Sequence, residues 1–144
     1  MNQIVPHLLW VGHSGEARDF RKVFDAGIKA VVDVALEEPP TQPPRELVYC
    51  RFPLLDGADN DPNLLRLAIA TLAELLRERL PTLVCCANGM SRSPALAAAA
   101  LAHLGQGSPE ECLERVLNHH PSDVVPGLWN EVHRALDGKG ARGI

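Results

Sequence analysis

Cys86 and Arg92 are separated by the five residues Ala87-Asn88-Gly89-Met90-Ser91, and Ser93-Pro94 follows directly. A cysteine is a nucleophile only as the thiolate, and a positive surrounding favours that form. Arginine offers a planar fork that can grip two oxygens of a phosphoryl group at once. A loop that runs into a helix aims backbone N–H groups at one point, where the helix dipole is positive. Such a loop would collect an anion and place a sulfur beneath it. The chemistry within reach is transfer of a phosphoryl group from an ester oxygen to sulfur, followed by hydrolysis. The competing readings are a buried, inert cysteine and a surface arginine paired with an acid.

That chemistry also needs a proton for the departing oxygen and later a base for water. Asp56, Asp59 and Asp61 precede a long helical pattern. Asp61 stands before Pro62 as an N-cap, and Asp59-Asn60 reads as a turn. Asp56, in Pro53-Leu54-Leu55-Asp56-Gly57, has no capping role and is the first choice for the general acid, with Asp59 second. The bland alternative makes all three turn and cap residues.

The elements that must position these groups follow from periodicity. Leu83-Val84-Cys85-Cys86 reads as a short apolar strand leading into the loop, and Pro94 to Leu104 as an Ala-rich helix apolar enough to be central. Earlier, Leu8 to Val11 predicts a first strand and Glu16 to Asp25 a helix capped by Ser14, with Ala17, Phe20, Val23 and Phe24 inward. Lys29 to Ala35 predicts a buried strand and Glu46 to Phe52 another. Between them Glu37 to Pro44 is too proline-rich for regular structure. It is either a semi-rigid surface connector or a wall of the substrate pocket. Asp61-Pro62 starts a helix to about Arg79, expected to bury Leu64, Leu67, Ala68, Thr71, Leu72, Leu75 and Leu76. Ser108-Pro109-Glu110-Glu111 is a capping box opening a helix through Asn118. A last helix spans about Gly127 to Leu136, with residues 138–144 a frayed tail. Strands alternating with helices give an α/β fold, a single central sheet with helices on both faces.

On the strength of Cys86, Gly89, Ser91-Arg92-Ser93, Pro53-x-x-Asp56 and the Pro126-Gly127-Leu128-Trp129 stretch, the sequence resembles the dual-specificity phosphatases of the protein tyrosine phosphatase superfamily. The resemblance covers nearly the whole chain and implies one catalytic domain, 1–144, with the phosphatase loop between a central strand and the Ala-rich helix. It implies hydrolysis of phosphate monoesters through a phosphocysteine on Cys86. In that scheme Arg92 and the segment Ala87, Asn88, Gly89, Met90 and Ser91 hold the phosphate. Asp56 serves as acid and then base, and the Ser93 hydroxyl, beyond any role as helix cap, stabilises the departing thiolate. No cofactor or metal is implied. Lipid phosphatases of the superfamily carry lysine or arginine within the loop. Ala87, Asn88 and Met90 stand there instead, which favours a singly phosphorylated substrate, a phosphoprotein or a small phosphomonoester. The sequence departs from the family at Cys85, where the family has histidine. The readings set against an active enzyme are therefore a phosphate-binding pseudo-phosphatase and a sulfur-carrying or arsenate-reducing relative.

The composition is compatible with this. A chain of 144 residues, 46 % hydrophobic, can bury a normal core. A net charge of −4 argues against nucleic-acid and acidic-membrane binding. The N-terminus does not read as a signal peptide. Four cysteines, Cys50, Cys85, Cys86 and Cys112, lack zinc spacing and suit a reducing cytoplasm. Trp10 and Trp129 are expected as core anchors, Cys85 and Cys112 as core residues, and His119-His120 as helix-end cations or surface groups. A regulatory disulfide from Cys86 to Cys85 or Cys50 has little support, since neighbouring strand side chains point apart.

Overall fold

The computed structural model describes residues 1–138, so the expected frayed tail lies, from Lys139 on, outside the described residues. Five strands, β1 (Asn2–Val5), β2 (Leu9–His13), β3 (Ala30–Asp33), β4 (Val48–Arg51) and β5 (Thr82–Cys86), form one mixed sheet in the order β1-β2-β5-β3-β4. Only β1 is antiparallel to its neighbour. β5 is central, paired with β2 from Leu9↔Thr82 to His13↔Cys86 and with β3 from Ala30↔Thr82 to Asp33↔Cys85. All five residues of β5 are buried, as a strand covered on both faces must be. Cys86 thus ends the innermost strand, at the carboxyl edge where open parallel sheets present their loops.

The alternation of strand side chains divides the interior in two. Trp10, Val31, Leu83 and Cys85 face a smaller cluster with Ala17, Val23 and Ile28, under α1 (Ser14–Arg18) and α2 (Phe20–Asp25). Val11, Val32, Val84 and Cys86 face the larger cluster, packed by α3 (Pro62–Arg77), α4 (Arg92–His103), α5 (Pro109–His119) and α6 (Pro126–Asp137). Ten of the twelve residues of α4 are buried. Its run of alanines lets three helices and the sheet approach its axis together. No helix among the described residues is long and apolar enough to cross a membrane.

Several expectations are corrected. β1 was not foreseen, because Asn2-Gln3-Ile4-Val5 exposes two residues and buries only Ile4 fully. The expected first helix is two helices broken at Asp19, whose carboxylate accepts from Lys22 N–H and caps the second. His13 caps the first in place of Ser14, in a capping box with Glu16. The Ser14 hydroxyl instead donates to the Cys86 carbonyl at 3.1 Å. Phe24 is exposed, because Val23 takes the inward position. On α3 the buried stripe is Leu65, Ala68, Ile69, Leu72, Ala73 and Leu76, rotated from the expected one. Leucines on both flanks made the stripe ambiguous, and Leu67 is 55 % exposed. Trp10 is buried, while Trp129 is half-buried with its ring edge-on to His133.

The rotated stripe is testable by urea unfolding. Leu72→Ala should cost about 2–5 kcal/mol, whereas Leu67→Ala should stay within about 0.5 kcal/mol of the parent. Equal losses would restore the stripe read from the sequence.

Candidate active site

The loop from Cys86 to Arg92 closes β5 onto α4. Gly89 sits at φ +75°, and a Cβ there would lie 2.9 Å from the Gly12 carbonyl oxygen. Both the left-handed backbone and the close approach demand glycine. Ser91 occupies the N-cap position of α4 without capping it; its hydroxyl accepts from Val125 N–H at 3.0 Å. In α5, by contrast, Ser108 caps its own helix. Among the described residues, no protein acceptor takes the amides of Asn88, Gly89 or Ser91, whereas Met90 N–H is held by Asn88 Oδ1 at 3.0 Å. The open amides and the start of α4 make an anion-binding concavity.

Cys86 is buried, and its Sγ lies 3.2 Å from Ser93 Oγ, which is also 3.2 Å from the Gly12 carbonyl oxygen. The hydroxyl has one proton. It donates to Gly12 when the sulfur is a thiol and can turn to donate to a thiolate. The Ser93 hydroxyl thus touches the Cys86 sulfur and the Gly12 carbonyl and does not cap α4.

Arg92 is 4 % exposed. Its Nη1 donates to Glu37 Oε1 at 2.6 Å and to the Leu54 carbonyl at 2.9 Å, and Nη2 donates to Glu37 Oε2 at 2.8 Å. Glu37 thus takes the end-on edge of the guanidinium, leaving the side edge, Nε–H with the second Nη2–H. Nε is buried without a protein partner among the described residues. A buried donor left so is costly unless something accepts from it, and this edge fits two oxygens of a tetrahedral oxyanion. Burial works to lower the Arg92 pKa, but the Glu37 hydrogen bond and charge, with Cys86 and Asp56 adding to the field, carry it above its ordinary value. The Arg92 hydrogen bond in turn holds Glu37 below the ordinary carboxylate range.

Asp56 is exposed, on a loop that reaches within electrostatic range of Arg92. Buried Asn60 ties that loop together. Its Oδ1 accepts from Leu55 N–H, and its amide donates to the carbonyls of Leu55 and Gly57 and to Glu131 Oε1. Asp59 sits at φ +75° in the turn, and Asp61 caps α3 by accepting from Asn63 N–H at 2.9 Å. Cys85, next to Cys86 but on the opposite face of the sheet, lies near Asp33. Burial first, then the Asp33 charge, pushes its thiol well above the ordinary range, so it stays neutral. Asp33 accepts from Ala35 N–H and from the Tyr49 hydroxyl, whose pKa is raised by burial and by that bond.

Three supports were not read from the sequence. Glu37 opens the proline-rich segment, which borders the site through the Arg92 pair. Asn60 gave no signal beyond its turn. His120, expected as a helix-end cation or a surface group, is the C-cap residue of α5 and is buried. The Asn2 amide donates to its Nδ1 at 2.8 Å, which leaves the proton on Nε2 to donate to the Gly89 carbonyl at 2.6 Å. With Asp123 N–H donating to the Met90 carbonyl at 2.7 Å, the segment after α5 holds the back of the loop. The partners are 31 residues apart in sequence, so no local pattern could reveal the contact.

No protein-family model matches the chain, and no curated protein sequence does. Solved structures do match. Human DUSP28 superposes with a TM-score of 0.83 at 24 % identity, covering 95 % of this chain and 96 % of that one. A mouse putative dual specificity phosphatase complexed with zinc tungstate gives 0.82 at 25 %, covering 94 % and 86 %. A human tyrosine phosphatase-like serine/threonine/tyrosine-interacting protein gives 0.76 at 17 %, covering 93 % of each chain.

 The chain has the fold of the dual-specificity phosphatases, within the protein tyrosine phosphatase superfamily.

The depressed Glu37 pKa sets a pH dependence. A carboxylate whose pKa is lowered by folding stabilises the protein above its unfolded pKa, and that contribution is lost as pH falls through the folded value. Glu37→Gln should therefore be less stable than the parent at neutral pH, with the difference shrinking as pH drops below about 4. Denaturant unfolding across that range checks this; a difference independent of pH would contradict it.

Proposed function

We propose that this protein hydrolyses phosphate monoesters through a phosphocysteine on Cys86. The observation that carries the reading is the buried, unpartnered side edge of Arg92 at the loop that begins with the Cys86 sulfur. The Cys86 thiolate attacks phosphorus, and the bond from phosphorus to the ester oxygen breaks. Arg92 Nε–H and Nη2–H, with the loop amides, hold the non-bridging oxygens as charge redistributes. Protonated Asp56 gives its proton to the leaving oxygen, releasing the alcohol or phenol. Its carboxylate then takes a proton from a water that attacks the phosphocysteine. Inorganic phosphate leaves, and the sulfur returns as a thiolate that accepts from Ser93 O–H.

The substrate class we favour is a singly phosphorylated group, on protein tyrosine, serine or threonine before a small metabolite, because Ala87, Asn88 and Met90 bring no second cation. Tungstate, bound by the mouse protein of this fold, is a tetrahedral oxyanion like phosphate, in keeping with this reading. We take residues 1–144 as one catalytic domain acting in a reducing compartment such as the cytoplasm, where Cys86 stays a free thiol. The competing module, which binds phosphate without turnover, draws on Cys85, a neutral thiol facing away from the loop where the family has histidine.

Turnover of an aryl phosphate decides between them. Cys86→Ser should abolish it while leaving vanadate binding measurable, and Arg92→Lys should lower kcat/KM by about 10²–10³-fold. Parent protein that binds vanadate yet releases no phenol would establish the binding module. Asp56→Asn should slow substrates with poor leaving groups most, and Asp59→Asn should leave the leaving-group dependence unchanged. The reverse pattern would move the acid to Asp59.

A further inference from the structure

We infer that this protein carries a second anion site, at the end of the sheet opposite Cys86, shaped for a small amphiphile with an anionic head. A cavity of about 360 Å³ opens there among the residues before β2, the end of α3, the end of α4 and α5. Its floor includes Leu8, Leu76 and Leu101, all buried. Its rim carries Arg77, Arg79 and Arg115, and no acidic residue lines it among the described residues. Arg77 pairs with Glu74, but Arg79 and Arg115 enter no ion pair among the described residues. In a chain of net charge −4 this is a local concentration of cations.

Arg79 provides the second observation. It follows α3 at φ +60°, with its N–H donating to the Leu76 carbonyl and Leu80 N–H to the Leu75 carbonyl. That is the helix-ending turn in which glycine is the unstrained residue. Local backbone preference therefore argues against arginine at this position. The cavity supplies a reason for it, since the turn delivers its side chain to the rim. A guanidinium forks onto carboxylate, sulfonate or phosphate, while the leucines take an alkyl or aryl body. The volume is that of a small-molecule site. Leu101 lies nine residues along α4 from Arg92, about 14 Å at the helical rise, so an occupant here need not compete with one in the phosphate loop.

Calorimetry with decanesulfonate, a probe a phosphatase cannot hydrolyse, tests this below the micelle concentration. One equivalent should bind, in the presence or absence of vanadate, and decanol and methanesulfonate should each bind at least about tenfold more weakly. Arg79→Gly should weaken binding about tenfold with an unchanged or higher Tm, and Arg115→Gln should also weaken it. Displacement by vanadate, equal binding of decanol, or indifference to both substitutions would overturn the proposal. So would adsorption to phosphatidylglycerol vesicles without binding of the monomeric sulfonate. The sulfonate measurements stand whether or not vanadate binds, so failure of the phosphatase reading and failure of this one are separable.

Discussion

A guanidinium withdrawn from water must find acceptors for five donors, and the arrangement around Arg92 follows from that requirement. Glu37 takes one edge and the Leu54 carbonyl another hydrogen, which fixes the plane of the group and leaves a single edge open. A free arginine would lose this orientation to side-chain entropy; a fully satisfied one would have nothing to offer an anion. Because Glu37 and Leu54 lie on the loops after β3 and β4, the charge at the start of α4 also ties both loops to the mouth of the site.

The loop from Cys86 to Arg92 has little internal support. Apart from the Asn88–Met90 turn, its restraints come from outside. Gly12 crowds Gly89 from one side, while His120, Asp123 and Val125 hold Gly89, Met90 and Ser91 from the other. Carbonyls and the Ser91 hydroxyl are engaged outward, so the amides are free to converge inward. This is preorganisation in the electrostatic sense: dipoles set in place before any charge arrives. The uncapped start of α4 belongs to the same scheme, since a side-chain cap would occupy the amides that an anion needs.

Neighbouring cysteines have opposite environments because a strand alternates. Cys86 faces Ser93 and the loop; Cys85 faces Asp33 and the smaller core. The position before Cys86 is filled here by a small neutral group. Asp33 and Tyr49 satisfy each other nearby, so the second face of the sheet is closed off from the chemistry at the first.

Local patterns made the loop from Cys86 to Arg92, the central strand, the Ala-rich helix and the capped starts of α3 and α5 legible. Each is specified by neighbours within one or two turns: Asp61 before Pro62, Ser108 three residues before Glu111, and Cys86 and Arg92 about a strand-to-helix junction. Where the flanks of a helix were both apolar, as in α3, the chain alone did not choose the buried stripe; packing against α4 and α6 did. Glu37 on Arg92 and His120 on Gly89 span 55 and 31 residues, and no periodicity connects them. Residue types and spacing therefore determined which groups could do chemistry. Tertiary structure decided how each is oriented and satisfied, because burial removes water as a partner and leaves distant parts of the chain to replace it.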